Sequence, residues 1–119
     1  MSTSFQLQNN ALKELPHNIE AEQGILGAIL LNNEIFFDIS ETINVEHFYE
    51  PVHKLIFDVI GKMISKGQIA TPITLKSFFE VEKNLEEIGG SNYLVRLANS
   101  AVSLDYAKNY AHIIYNLAV

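Results

Sequence analysis

The sequence predicts an all-α fold, and three observations carry that prediction. Apolar residues recur at intervals of three and four, rarely two, along most of the chain. Residues that start helices stand ahead of those runs: Asn18, Pro51, Thr71-Pro72 and Ser103. The segments between the runs are short, as connections in helical bundles are. No segment repeats at a fixed period, so a solenoid is not expected. The expectation is a compact bundle of about six short helices.

Residues 1–14 are polar and without period, and read as a flexible tail. Residues 15–102 read as the folded head and 103–119 as a final helix. In the first helix Asn18 is a good N-cap, and Glu20 and Glu22 follow where the helix dipole favours negative charge. The run GILGAILL over 24–31 is apolar nearly all round, which predicts the central buried helix. Gly24 and Gly27 are read as places where a neighbouring helix comes close. A GxxG loop that clamps nucleic acid would need a loop and nearby cations, and this stretch has neither.

Asn32-Asn33 breaks that helix. A short second helix is expected over 34–43, with Phe36, Ile39 and Ile43 on one face. Residues 44–49 should turn and drop Phe48 into the core. Pro51 then suits a first helical turn, and Gly67 a left-handed stop. Between them Leu55, Ile56, Val59, Ile60, Met63 and Ile64 form a broad apolar stripe. Thr71 and Pro72 start a fourth helix that ends at Asn84, with Leu75, Phe78 and Phe79 facing inward. Residues 85–90 are an acidic turn closed by Gly89-Gly90. A fifth helix over Ser91–Asn99 buries Leu94 and Leu97. Ser103 caps a sixth, whose apolar positions are Tyr106, Tyr110, Ile113, Ile114 and Leu117. That pattern is still running at Val119, with no Gly, Pro or cationic stop, so a helix cut short is expected.

A length of 119 residues fits one domain with a real core. Eight Lys and Arg stand against fourteen Asp and Glu, a net charge of -6. No basic cluster appears, which argues against a phosphate-tracking nucleic-acid surface and favours a protein partner with basic character. The absence of cysteine excludes disulfide and thiolate chemistry and fits a reducing cytoplasm. No apolar run approaches the roughly 20 residues of a membrane span, and the N-terminus lacks a signal-peptide pattern.

Chemistry finds little to use. The histidines are His17, His47, His53 and His112, none four residues from another. Glu50 and His53 match the E-x-x-H spacing of di-iron bundles, but such sites need two copies and two further glutamates. His53 is read instead as a first-turn residue packed near Phe48 or bonded to a carbonyl. Phosphate-loop and nucleophile-elbow motifs are missing. Glu80, Glu82, Glu86 and Glu87 read as a solvated face or as a rim for a basic partner. The residues describe a small helical module that binds and does not catalyse. No catalytic, cofactor or metal residue is assigned.

The stretch LPHNIEAEQGILGAILLNN resembles the opening of the N-terminal domain of the DnaB family of replicative DNA helicases. Pro16, His17, Glu20, Ala21, Glu22, Gln23, Leu26 and Gly27 fall on the family's signature. Later pieces follow in order: Phe48-Tyr49, His53, Ile56 and Phe57; Thr74-Leu75; Ile88-Gly89-Gly90 and Tyr93-Leu94; Tyr106-Ala107 and Tyr110-Ala111. Pro72 departs from the pattern, at a first-turn position that tolerates it. The match runs from Leu15 to the end of the chain.

The resemblance implies an all-α collar domain of a hexameric ring. A C-terminal motor, absent from this chain, would bind ATP and Mg²⁺ and unwind DNA. The collar itself would join subunits through a helical hairpin, whose first helix is 103–119, and would receive the C-terminal domain of primase. Its implied partners are the other subunits of a ring of six, primase and, where one exists, a helicase loader. DNA would be met only through the whole ring, and the compartment would be the cytoplasm. Within this frame Tyr106, Tyr110, Ile113, Ile114 and Leu117 are expected to include the subunit interface, with core packing as their other reading. Glu86, Glu87 and Tyr93 are expected to face primase, with an ordinary solvated turn as the other reading. The alternative class for the chain is an autonomous helical adaptor with no helicase attached.

Overall fold

A computed structural model describes residues 18–79, 86 and 89–118. Six α-helices occur among them, with no strand. They are α1 Ile19–Leu31, α2 Ile35–Ser40, α3 Pro51–Ser65, α4 Pro72–Phe79, α5 Ser91–Asn99 and α6 Leu104–Ala118. A single 3-10 turn, Val45–His47, precedes α3.

Helix α1 is the centre of the fold, as its all-round apolar run predicts. Asn18 caps it, its side chain accepting from the Ala21 N–H at 3.0 Å. Nine of its thirteen residues are buried, and it packs chiefly against α6 and α5. Gly27 shows why glycine stands here. A Cβ on it would lie 1.9 Å from the Leu97 carbonyl oxygen, so α5 and the chain behind it press on the bare backbone. At Gly24 an added Cβ would meet Val102 and the Tyr110 ring at 3.1 and 3.2 Å.

Asn33 does more than end α1. Its amide donates to the carbonyls of Ile29 and Ala70, and its oxygen accepts from the Ala70 N–H, all at 2.8 Å. One side chain thereby ties the end of α1 to the entry of α4. Helix α2 is shorter than the expected 34–43. The N–H groups of Thr42 and Ile43 both turn back to the Ile39 carbonyl, closing the helix while still delivering Ile43 to the core. The turn that follows buries Phe48, as expected.

The buried faces of three helices sit differently from the predicted stripes. In α3 the buried residues are Val52, His53, Ile56, Phe57, Ile60 and Met63, while Leu55, Val59 and Ile64 flank the core half-buried. The Phe57 ring claims the middle of the face, packing on Phe48 and Phe36 at centroid distances of 5.0 and 5.2 Å. In α4, Leu75 and Phe79 are buried one turn apart, and Phe78, expected inward, is 55% exposed. In α6 the buried stripe is Ala107, Ala111 and Ile114 rather than the larger residues beside it. Thr71 and Thr74 cap α4 reciprocally: each hydroxyl oxygen accepts from the other's N–H, at 3.1 and 2.8 Å. The predicted end at Asn84, together with Leu85, Glu87 and Ile88 of the acidic turn, lies outside the described residues, as does the 1–14 tail; Glu86, read as part of a turn, is helical, and Gly89-Gly90 form a turn at positive φ.

Candidate functional site

Two features stand out: a buried chain of polar groups and an exposed face of α6. The buried chain starts at Glu22, whose side chain turns inward from the first turn of α1. Glu22 is among the most buried residues of the domain. Its carboxylate accepts from the N–H of Tyr49 at 2.8 Å and of Glu50 at 3.3 Å. His53 Nδ1 lies 2.7 Å from the same carboxylate, and His53 Nε2 lies 2.6 Å from the Tyr93 hydroxyl. Gln23 donates to that hydroxyl at 3.1 Å. The chain therefore crosses α1, α3 and α5.

With the imidazole neutral, one arrangement uses every donor: His53 Nδ1 donates to the Glu22 carboxylate, and the Tyr93 hydroxyl, receiving an N–H from Gln23, donates to His53 Nε2. The His53 and Tyr93 rings are 13° from parallel, and the edge of His53 meets Phe48. Burial pushes the Tyr93 pKa above its ordinary value of 10.0; the Gln23 hydrogen bond pulls it back, Glu50 raises it, and Arg96, over the Tyr93 ring, lowers it. Each polar group in this chain has a partner, which is what makes its burial tolerable.

Tyr93, expected to face primase with Glu86 and Glu87, is buried in this chain. It is 6% exposed, held inward by His53. Glu86 is exposed; Glu87 lies outside the described residues. His53 packs near Phe48 as read from sequence, but its partners are a carboxylate and a phenol rather than a carbonyl. The sequence held one signal for this chain: a glutamate within a signature stretch next to an apolar run. Its inward direction could not be seen without the fold.

The second feature is α6. Ile114 belongs to the core, so it leaves the expected interface set. The other four lie one residue round the helix from the buried stripe, about 100° away. Tyr106 is 61% and Ile113 36% exposed, while Tyr110 and Leu117 are half-buried, Tyr110 against Gly24. Tyr115 adds an exposed ring that rests on His47 at 5.1 Å. His47 has its own duty, accepting the Asn44 N–H in a capping box. No group of three or more potential metal-ligating residues occurs among the described residues, and none of their helices is long and apolar enough to cross a membrane.

A buried polar chain that clasps three helices, beside a helix with an apolar outer face, defines a small all-helical packing module. Comparison with known proteins gives the family. A family model described as the DnaB-like helicase N terminal domain matches residues 14–116, and the chain belongs to that family. It is 47% identical over 105 residues to the replicative DNA helicase DnaB of Rickettsia typhi, covering 88% of this chain and 21% of that protein. The corresponding helicase of Buchnera aphidicola is 36% identical over 96 residues, again with 21% of its length covered. The chain thus spans about a fifth of the curated relatives it matches. A crystal structure of the N-terminal domain of DnaB helicase from Mycobacterium tuberculosis superposes with a TM-score of 0.79 at 30% identity, covering 88% of this chain and 76% of that one.

Proposed function

We propose that this chain is the collar domain of a hexameric replicative helicase, joining subunits in the ring and docking primase. The observation that carries the reading is the outer face of α6. Tyr106 and Ile113 stand out of a helix whose inward side is already satisfied by Ala107, Ala111 and Ile114. Large apolar side chains in a row, beside a filled core, suit a helix-to-helix contact between copies. ATP and Mg²⁺ belong in this reading to a C-terminal motor, as do DNA unwinding and passage through the ring. A loader is a further partner the same reading admits.

The test is sedimentation. This chain and a longer form carrying the complete hairpin are compared over a range of concentrations. Association of the longer form, lost in Tyr106→Glu/Ile113→Glu, is the expected result. Equal monomers in both forms would remove the subunit-contact role. For primase, the exposed carboxylate of Glu86 supports an acidic docking rim, with Glu87 beside it in sequence. Charge reversal at Glu86 and Glu87 is expected to weaken binding of the primase C-terminal domain about tenfold, mainly through the association rate. Unchanged affinity would move primase to another face.

A further inference from the structure

The buried chain has a property that packing alone does not require: its hydrogen bonds have a direction, and one added proton reverses part of it. We propose that Gln23, Tyr93, His53 and Glu22 form a proton-linked latch on α5, in which protonation of His53 flips the Tyr93 hydroxyl and the Gln23 amide. In the arrangement described, Gln23 donates to Tyr93, Tyr93 donates to His53 Nε2, and His53 Nδ1 donates to Glu22. A proton taken from hydronium onto Nε2 turns that nitrogen into a donor. At 2.6 Å its N–H then donates a hydrogen bond to the Tyr93 oxygen. The Tyr93 O–H can no longer point at His53 and needs an acceptor elsewhere. Rotating the Gln23 amide supplies one, by presenting its oxygen in place of its nitrogen. The proton comes from hydronium, whose O–H bond breaks as the Nε2–H bond forms and water is left; within the protein only hydrogen bonds rearrange, and the proton stays on His53.

Three elements face the imidazole: α1 through Glu22, the turn before α3 through Phe48, and α5 through Tyr93. Around the Tyr93 end of the chain stand Gln23, Glu50 and Arg96, the last over the Tyr93 ring. The Glu22 carboxylate receives the imidazolium. Helix α5 is the element the latch acts on. It enters through Gly89 and Gly90, both at positive φ, and its N-cap has no side-chain hydrogen bond, so Tyr93 is its polar tether to α1 and α3.

The test follows His53 by ¹⁵N NMR in this chain from about pH 8 to about pH 5, the range in which imidazoles change charge. Three forms are compared: unaltered, Gln23→Glu and Gln23→Met. Gln23 lies half-buried on the surface side of α1, so both substitutions leave the core alone. A carboxylate at position 23 can only accept, which draws the Tyr93 proton away from His53 and favours the imidazolium. A thioether gives the rotated hydroxyl no good acceptor and favours the neutral ring. Opposite displacements of the His53 midpoint, up for Gln23→Glu by about one pH unit and down for Gln23→Met, are expected. Adding Tyr93→Phe to each should collapse most of the difference, because the relay is then broken. Three results would overturn the latch: midpoints that do not move or move together, a difference that survives Tyr93→Phe undiminished, or a His53 that takes no proton before the domain unfolds.

Discussion

At the scale of single residues, Glu22 decides most. Its carboxylate serves the N–H of Tyr49, the N–H of Glu50 and the imidazole of His53 at once. Glu22→Ala strands three donors, one of them the buried His53 imidazole, and is expected to cost about 3 kcal/mol, read by urea denaturation. Tyr93→Phe removes one hydroxyl and leaves His53 Nε2 without its partner, for about 1–3 kcal/mol. The same substitution has a signature in pH. Burial raises the Tyr93 pKa, so the folded domain holds the phenolic proton more tightly than the unfolded chain does. That stability is complete below the unfolded value and is lost as pH rises through the folded one. Stability should therefore fall on the alkaline side of about pH 10, and Tyr93→Phe should flatten that fall. An unchanged alkaline slope would show that another group sets it.

At the scale of elements, helix positions were legible in the sequence and helix faces less so. Caps and breakers placed the boundaries: Asn18, Pro51, Thr71 and the Asn32-Asn33 pair act as read, Asn18 and Thr71 through the expected hydrogen bonds. The glycines of α1 announced a close approach, and Leu97 makes it. Gly27→Ala must push α5 off α1 or distort one of them, and a loss of about 2 kcal/mol or more is expected in thermal unfolding. Periodicity of large residues does not mark a buried face where burial goes to small ones. Ala107 and Ala111, not Tyr106 and Tyr110, carry α6 inward, because close packing on α1 leaves room for a methyl group only. In α4 the pattern cannot tell Phe78 from Phe79, since neighbours differ by only 100° or so. Unfolding separates them: Phe79→Ala should cost about 3–5 kcal/mol, and Phe78→Ser about 0.5 kcal/mol or less. The Glu22–His53–Tyr93 chain was beyond sequence reading for a different reason. Its members are 31 and 40 residues apart, and only the packed helices bring them within hydrogen-bond reach.

For the molecule as a whole, the consequence is a division of labour between inside and outside. The interior is closed by a central helix with a long apolar run, two close-approach glycines and a fully partnered polar chain. The surfaces proposed for function lie outside that interior: the exposed Tyr106–Ile113 side of α6 and the exposed Glu86. This division suits the proposed contact role of a chain that spans about a fifth of its helicase relatives. The most direct measurement is the sedimentation mass of the full-length protein, unaltered and with Tyr106→Glu/Ile113→Glu in its N-terminal domain, at equal concentration and with nucleotide present. A ring of six for the unaltered protein, and smaller species for the variant with the helical content of this domain intact, is the predicted result. A variant ring as large and as stable as the unaltered one would contradict it.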